Sequence, residues 1–309
     1  MTEHLEVVGA ADERAFDAAR EVVAAAESFD GASPLSDQAM LAAARGRRAL
    51  LLFSEPGRSV RPAAVGVIGQ GELDLVVRPE DRGRGIGSTA LRLLLEHETG
   101  ELLAWAHGEN PAAETLLRGA GFDPVRSLYR MALDPALLPG DGRDPLALPA
   151  PPGLRLRAFE PDRPADAAAW VRANAAAFAD HPEQGRITEA DFALMRQEEW
   201  FDPADLILLA DDDSGELAGS TWIKAVGAEA ELYAVGVRPE YAGRGLGRLL
   251  LDVTLARMAQ HSPERVTLYV DGENERAVRM YEHASFTLDS RSRQWRRRAL
   301  SEVDARMDA

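Results

Sequence analysis

Leu73-Asp-Leu-Val-Val-Arg-Pro-Glu-Asp-Arg-Gly-Arg-Gly-Ile-Gly87 and Tyr233-Ala-Val-Gly-Val-Arg-Pro-Glu-Tyr-Ala-Gly-Arg-Gly-Leu-Gly247 align without a gap. Self-similarity at a fixed offset marks a repeated structural unit. The likeness continues downstream, where Glu109-Asn110-Pro-Ala-Ala113 and Gly119-Ala-Gly-Phe122 parallel Glu273-Asn274-Glu-Arg-Ala277 and His283-Ala-Ser-Phe286. Between the copies lie Pro135, Pro139, Pro145, Pro149, Pro151 and Pro152, with Gly140 and Gly142. Proline has no backbone donor and disfavours helix at the residue before it, so this stretch reads as a linker. The sequence therefore predicts an N-terminal domain over residues 1–135, a Pro/Gly-rich linker over 136–153 and a C-terminal domain over 154–309.

The length agrees, since 309 residues suit two domains of roughly 150 each. In the second copy the pattern predicts helix over Asp166–Ala179 and strands over Leu206–Ala210, Ala218–Val226 and Glu231–Val237. Apolar residues at 249, 250, 253 and 255 fit an amphipathic helix over Arg248–Gln260. A short strand over Val266–Val270, a helix over Glu275–Ala284 and a last strand from Phe286 complete a mixed α/β domain.

Composition excludes several chemistries. The chain has no cysteine, so disulfides, thiolate metal sites and a cysteine nucleophile are out. Its histidines, at 4, 97, 107, 181, 261 and 283, lack metal-ligand spacing, and no metal is expected. A net charge of −16 opposes nucleic-acid binding. No membrane span and no secretory signal are evident, which predicts cytoplasmic residence.

Both glycine turns fall where a strand ends and a helix begins. Unpaired N–H groups and the positive helix dipole favour an anion there, and glycine admits close approach of a phosphate. The glycines at 83, 85, 87 and at 243, 245, 247 are spaced by two. That is neither the G-x-G-x-x-G of dinucleotide folds nor a Walker loop, which ends in Gly-Lys-Ser/Thr.

Arg82-Gly-Arg-Gly85-Ile-Gly87 resembles the Arg/Gln-x-x-Gly-x-Gly/Ala turn of the general N-acetyltransferase (GNAT) superfamily, whose members hold the diphosphate of acetyl-CoA there. The resemblance implies two tandem GNAT-like domains, each a mixed, mostly antiparallel sheet flanked by helices. The second turn departs from the pattern with Ala242 at the first position.

Acetyl transfer from a thioester to an amine requires a neutral amine, a polarised carbonyl and a proton for the departing thiolate. Period-two alternation puts Glu231, Tyr233, Val235 and Val237 on one strand face, making Glu231 the candidate base. The first copy has Gly71 at that register, with Glu72 on the opposite face. Tyr281 follows Asn274 by seven residues, where superfamily members often place the tyrosine that protonates the thiolate; the first copy has Leu117. Catalysis is accordingly expected in residues 154–309, with a strand N–H near Val237 polarising the carbonyl, and cofactor binding alone in 1–135. By residue type alone, Glu231 also fits a solvated strand carboxylate and Tyr281 a residue packed on the sheet.

Arg172-Ala-Asn174-Ala-Ala-Ala-Phe178-Ala-Asp-His181-Pro-Glu183-Gln-Gly185 and Glu199-Trp-Phe201-Asp-Pro203 carry a narrower resemblance, supported by Trp105-Ala-His107-Gly108 and Leu268-Tyr269-Val-Asp271. These segments resemble the mycothiol synthase family, tandem superfamily members that acetylate the cysteinyl amine of cysteinyl-glucosaminyl-inositol. The resemblance implies substrate contacts at Asp37, Glu183, Lys224, Glu231 and Tyr269. It places acetyl-CoA contacts in the first copy at Leu75, Val76, Val77, Arg82, Gly83, Arg84, Gly85, Ile86 and Gly87. In the second copy they fall at Val235, Gly236, Val237, Ala242, Gly243, Arg244, Gly245, Leu246, Gly247, Arg248, Asn274, Glu275, Arg276, Ala277, Val278 and Arg279. From residue type, Lys224 also fits a solvent-facing strand end, Asp37 a helix cap and Glu183 a loop acid. A monomer acting on a small amine is expected. The alternatives are acetylation of another amine or a protein N-terminus, and a non-catalytic acetyl-CoA-binding protein.

Overall fold

A computed structural model describes residues 5–9, 13–31, 33–35, 37–57, 61–179 and 184–299, the side chains of 37 and 38 excepted. The described residues form two compact units. Of the described residues, those up to 129, 271–273 and those from 290 on form unit 1; those of 130–270 and 274–289 form unit 2.

Unit 1 runs β1 (Glu6–Gly9), α1 (Glu13–Asp30), α2 (Asp37–Ala44), β2 (Ala49–Ser54), β3 (Ala64–Gly69), β4 (Glu72–Val77), α3 (Ile86–Leu95), β5 (Leu102–Ala106), α4 (Pro111–Gly119) and the start of β6 (Asp123–Leu133). Strands β1 to β4 are antiparallel, and β4 runs parallel to β5. Helix α1 buries Ala19, Val22 and Ala26 against Val65, Val67 and Val76 on one face of the sheet. Helix α3 buries Ile86, Ala90, Leu91 and Leu94, an i, i+4, i+8 stripe, against the other. A Cβ on Gly66 would lie 2.6 Å from Leu94 Cδ1, so glycine at this β3 position lets the helix sit close.

Unit 2 repeats the plan with β7 (Leu154–Ala158), α5 (Pro164–Ala177), α6 (Glu189–Met195), β8 (Leu206–Asp211), β9 (Leu217–Val226), β10 (Glu229–Val237), α7 (Leu246–His261), β11 (Arg265–Asp271) and α8 (Glu275–Glu282). Strands β7 to β10 are antiparallel, and β10 is parallel to β11. Trp170 of α5 stacks on Phe192 of α6 with centroids 4.2 Å apart and meets Trp222 of β9 edge-on at 5.3 Å. Helix α7 covers the opposite face, where Thr254 and Thr221 share a buried hydroxyl bond of 2.6 Å.

The partition differs from the 1–135, 136–153 and 154–309 division at both boundaries. The final strand, β12 (Thr287–Arg297), pairs antiparallel with β5 over Arg293–Arg297 and Leu102–Ala106, completing the sheet of unit 1. The neighbour of β11 in unit 2 is β6, whose residues 130–133 belong to that unit. The proline-rich stretch also lies in unit 2, where the Pro145–Ala147 turn packs on α7 and β7 and Pro145 is buried. The opening strands β1 and β7 and helix α6 were not anticipated from the pattern.

Candidate functional site

Each sheet parts beside its glycine turn. Parallel pairing between β10 and β11 runs from Glu229–Arg265 to Leu232–Leu268 and ends there. Between β4 and β5 it covers two pairs, Glu72–Leu103 and Leu73–Ala104. Each cleft is closed by a turn and a helix start. Gly243 and Gly245 have φ of +77° and +76°; Gly83 and Gly85 have +72° and +80°. Gly245 and Gly85 are the N-cap residues of α7 and α3, without a side-chain capping bond. A Cβ at any of these four positions would touch nothing within 4 Å, so the left-handed backbone is what calls for glycine. The first N–H groups of both helices are left for an anion.

A cavity of about 410 Å³ opens on the turn of unit 2, and one of about 410 Å³ on that of unit 1. The unit 2 cavity is lined by Val235, Gly236, Val237, Ala242, Gly243, Gly245, Leu246, Gly247, Arg248, Asn274, Arg276, Ala277 and Tyr281, all expected in the site. Tyr241 and Met280 complete the wall and were not anticipated, although Tyr241 sits inside the repeated motif. Arg244, Glu275, Val278 and Arg279 are not among the lining residues: Arg244 lies over the Tyr241 ring at 5.7 Å, and Arg279 pairs with Glu275 at 2.9 Å. In unit 1, Leu75, Val76, Val77, Arg82, Gly83, Gly85, Ile86 and Gly87 line the cavity, while Arg84 is drawn off by Asp81 and Glu55. Asn274 and Asn110 cap α8 and α4 by accepting from Ala277 N at 3.1 Å and Ala113 N at 3.0 Å.

A β-bulge corrects the expected strand face. Against β9, Leu232 faces Ile223 but Ala234 faces Trp222, so Tyr233 is an extra residue. One inserted residue inverts the alternation. Glu231 stands opposite Lys224, and Ala234 and Gly236 share that face, where a Cβ on Gly236 would lie 2.8 Å from Ala177 Cβ of α5. Tyr233 packs with Ala234 in the α5-side core; Val235 and Val237 pack with Leu246 and Leu250 on the α7 side. Glu231 therefore does not share a face with Val235 and Val237.

The bulge also overturns the inference that unit 1 has no carboxylate at the base position. Strand β4 is straight: its register on β3 runs unbroken from Val77–Ala64 to Glu72–Gly69. Counting from the glycine turns, the extra residue in β10 brings Glu72 level with Glu231. The neighbouring strand agrees, since Glu72 lies opposite Leu103 and Glu231 opposite Thr267, which are matching positions of the repeat. Glu72 differs in its surroundings. Buried Arg48 donates to Glu72 Oε2 at 3.0 Å and to Asp74 Oδ2 at 2.6 Å.

Glu231 is half-buried, and desolvation pushes its carboxyl above the usual range; Lys224 opposes this and Glu229 adds to it. Tyr281 is buried, meets Phe286 edge-on at 5.9 Å and lines the cavity. Burial pushes its phenol well above the ordinary value, so it stays a proton donor at neutral pH. Leu117, at its place in unit 1, is buried too. Tyr269 is exposed on β11. Glu183 and the side chain of Asp37 lie outside the described residues. Trp200, missed as a site residue because its motif reads as a plain loop, packs on Tyr233 at 5.4 Å and under Lys224 Nζ at 5.2 Å.

The cavities differ in charge. Unit 2 lines its cavity with Arg248 and Arg276 and no acid; unit 1 lines its own with Asp30, Asp81 and Arg82. Arg82 is held by Asp30 through two bonds of 2.7 Å and by Val77 O at 3.1 Å. Among the described residues no cluster of metal-ligating side chains occurs, and no helix is long and apolar enough to cross a membrane.

The family model of the acetyltransferase (GNAT) family matches residues 170–286. A mycothiol acetyltransferase of Clavibacter michiganensis is 40% identical over 267 residues, covering 84% of each chain. One from Kineococcus radiotolerans is 42% identical over 281 residues, covering 88% of this chain and 89% of its own. Among solved structures, a GCN5-related N-acetyltransferase of Sphaerobacter thermophilus superposes with a TM-score of 0.67 at 24% identity, covering 96% of this chain and 97% of its own. A tandem GNAT protein from the clavulanic acid biosynthesis pathway gives 0.66 at 22%, covering 97% and 100%. At these identities the two structures speak for the fold alone.

Proposed function

The chain belongs to the mycothiol acetyltransferase family of GNAT-type enzymes, and from this premise we propose that it transfers acetyl from acetyl-CoA to the cysteinyl amine of cysteinyl-glucosaminyl-inositol, with the chemistry in unit 2. The observation that carries the placement is that unit 2 alone combines a bulged strand bearing Glu231 with Tyr281 in the cavity wall.

The residues present fit acetyl-CoA. The open left-handed turn at Gly243 and Gly245 leaves helix N–H groups for the diphosphate, and Arg248 and Arg276 supply positive charge beside them. Ala242 brings no side-chain donor, so the backbone carries that contact. Acetyl-CoA, when bound, supplies the activated acetyl thioester.

The rest is the work of this chain. A β10 N–H between the bulge at Tyr233 and Val237 polarises the carbonyl. Glu231 accepts the ammonium proton, directly or through water. A typical α-amino group has a pKa of about 7.7–8.0, so a base whose own pKa lies above the normal carboxyl range is well matched to it. Tyr281 donates a proton toward the departing sulfur. Lys224 and Tyr269 meet the sugar and inositol hydroxyls, joined by Asp37 and Glu183 as the family resemblance implies.

Unit 1 is assigned cofactor binding without turnover. It keeps the turn and a carboxylate, Glu72, but Arg48 neutralises that carboxylate, β4 has no bulge, and Leu117 has no proton to give. The test is CoA release with mass detection of product, with acetyl-CoA and cysteinyl-glucosaminyl-inositol beside a panel of other amines. Selective N-acetylation of the first substrate is expected. Selective turnover of a different amine would remove the substrate assignment, and no turnover with any amine would favour a binding protein.

A further inference from the structure

Glu231 and Lys224 are direct cross-strand partners, a placement that sets Cβ atoms about 4.5–5.5 Å apart. A lysine can reach a carboxylate from there with ease. Yet Lys224 makes no ion pair among the described residues, and its Nζ lies 5.2 Å from the centroid of the Trp200 ring. The indole is itself fixed, tilted against Trp222 and Tyr233 at 5.4 Å each, and Trp222 is fully buried. We infer that Trp200 is a positioning residue whose ring face holds the Lys224 ammonium away from Glu231, keeping the carboxylate free for the substrate ammonium and the lysine free for substrate hydroxyls.

The attraction of an ammonium for an indole face is electrostatic and strengthens with desolvation, and Lys224 and Trp200 are both half-buried. The charges around Glu231 are few. Lys224 faces it from β9, and Glu229 precedes it on β10, with Arg265 3.5 Å from Glu229. From β11 the directly opposed residue is neutral Thr267, with Tyr269 beyond it; α5 presents Ala177 and Phe178 to this face. Lys224 is thus the cation whose closer approach would most change the proton affinity of Glu231, and from its place on the ring it offsets only part of what burial does.

This inference rests on Glu231 as the base, so its test reads proton affinity separately from turnover. In full-length protein labelled with 13C at glutamate carboxyls, the Glu231 signal, identified by its loss in Glu231→Gln, is titrated. Trp200→Leu is expected to lower the Glu231 pKa by about one unit, a tenfold change in proton affinity. Trp200→Phe, which keeps a ring face, should stay near wild type, and Lys224→Met should remove the response to Trp200→Leu. An unchanged pKa in Trp200→Leu overturns the inference, as does an equal drop when Lys224 is already absent. In the pH profile of kcat/KM, Trp200→Leu should move the acidic limb to lower pH. Should Glu231→Gln keep that limb instead, the base assignment fails while the titration still decides whether Trp200 restrains Lys224.

Discussion

Replacing Gly245 by alanine, with Gly85→Ala as its twin, separates a structural role of the glycine turns from a catalytic one. Both glycines are helix N-caps in the left-handed region, at φ +76° and +80°, and an added methyl would meet no atom within 4 Å in either. Steric overlap is therefore excluded, and the cost reduces to left-handed strain, about 1–2 kcal/mol for a residue with a Cβ. In a unit of this size, each such kcal/mol corresponds to roughly 2–4 °C in Tm. The turn can shed the strain by rotating its peptides, which turns the helix N–H groups away from the diphosphate. If all of it is charged to binding, acetyl-CoA affinity falls by a factor of about 5–30. Thermal melts and initial rates against acetyl-CoA are the assay. Both variants should lose similar stability, whereas Gly245→Ala alone should raise the KM for acetyl-CoA and lower kcat/KM. An equal fall of kcat/KM in Gly85→Ala would refute the confinement of chemistry to unit 2.

Tyr281→Phe should lower kcat by about 10²-fold or more, in the range of lost general acids, and leave the Kd for acetyl-CoA within a few-fold by calorimetry. Because burial raises that phenol, the wild-type rate should show no alkaline decline from Tyr281 below about pH 10. Asp30→Asn frees Arg82 for an anion and should tighten CoA binding at the unit 1 turn, measured by calorimetry, with kcat unchanged; looser binding would mean that Asp30 itself contacts the ligand. Asp166, 1% exposed, accepts from Arg157 at 2.5 and 2.8 Å, which holds its carboxyl below the usual range. A folded-state pKa below the unfolded one gives stability that is present above the unfolded value and lost as pH falls through the folded one. Asp166→Asn should accordingly cost about 3–5 kcal/mol in denaturant melts at pH 7, and the cost should shrink as pH falls below the unfolded carboxyl value and through the folded one.

The glycine turns, the helices that follow Asn110 and Asn274, and the inner strands of unit 2 were legible because each rests on local sequence patterns. Other features were not. The exchange of last strands leaves no local trace, since β12 and β6 read alike as strands whichever sheet they join. Trp200 lies in a loop whose packing on Tyr233 depends on tertiary structure. Residues 134–153 carry six prolines and read as a spacer, yet Asp134 and Asp144 cap short turns that seat Pro145 in the wall of unit 2.

The bulge at Tyr233 was also hidden, because a gapless alignment through the glycine turns gives every residue a partner. Aligned that way, Glu231 matches Gly71, and the first copy has lost its base. Paired through β5 and β11, Glu231 matches Glu72, and the carboxylate is present in both. What divides the units is then the setting of that carboxylate. In unit 1 a buried guanidinium donates to Glu72 at 3.0 Å, so its place toward an incoming amine is taken. In unit 2 the opposing cation lies on an indole face and burial raises Glu231. One added residue thus accounts for the apparent absence of a base in the first copy. On the proposed division of labour, giving unit 1 the equipment of unit 2 would take at least three changes: the inserted residue, removal of Arg48 and a tyrosine at Leu117.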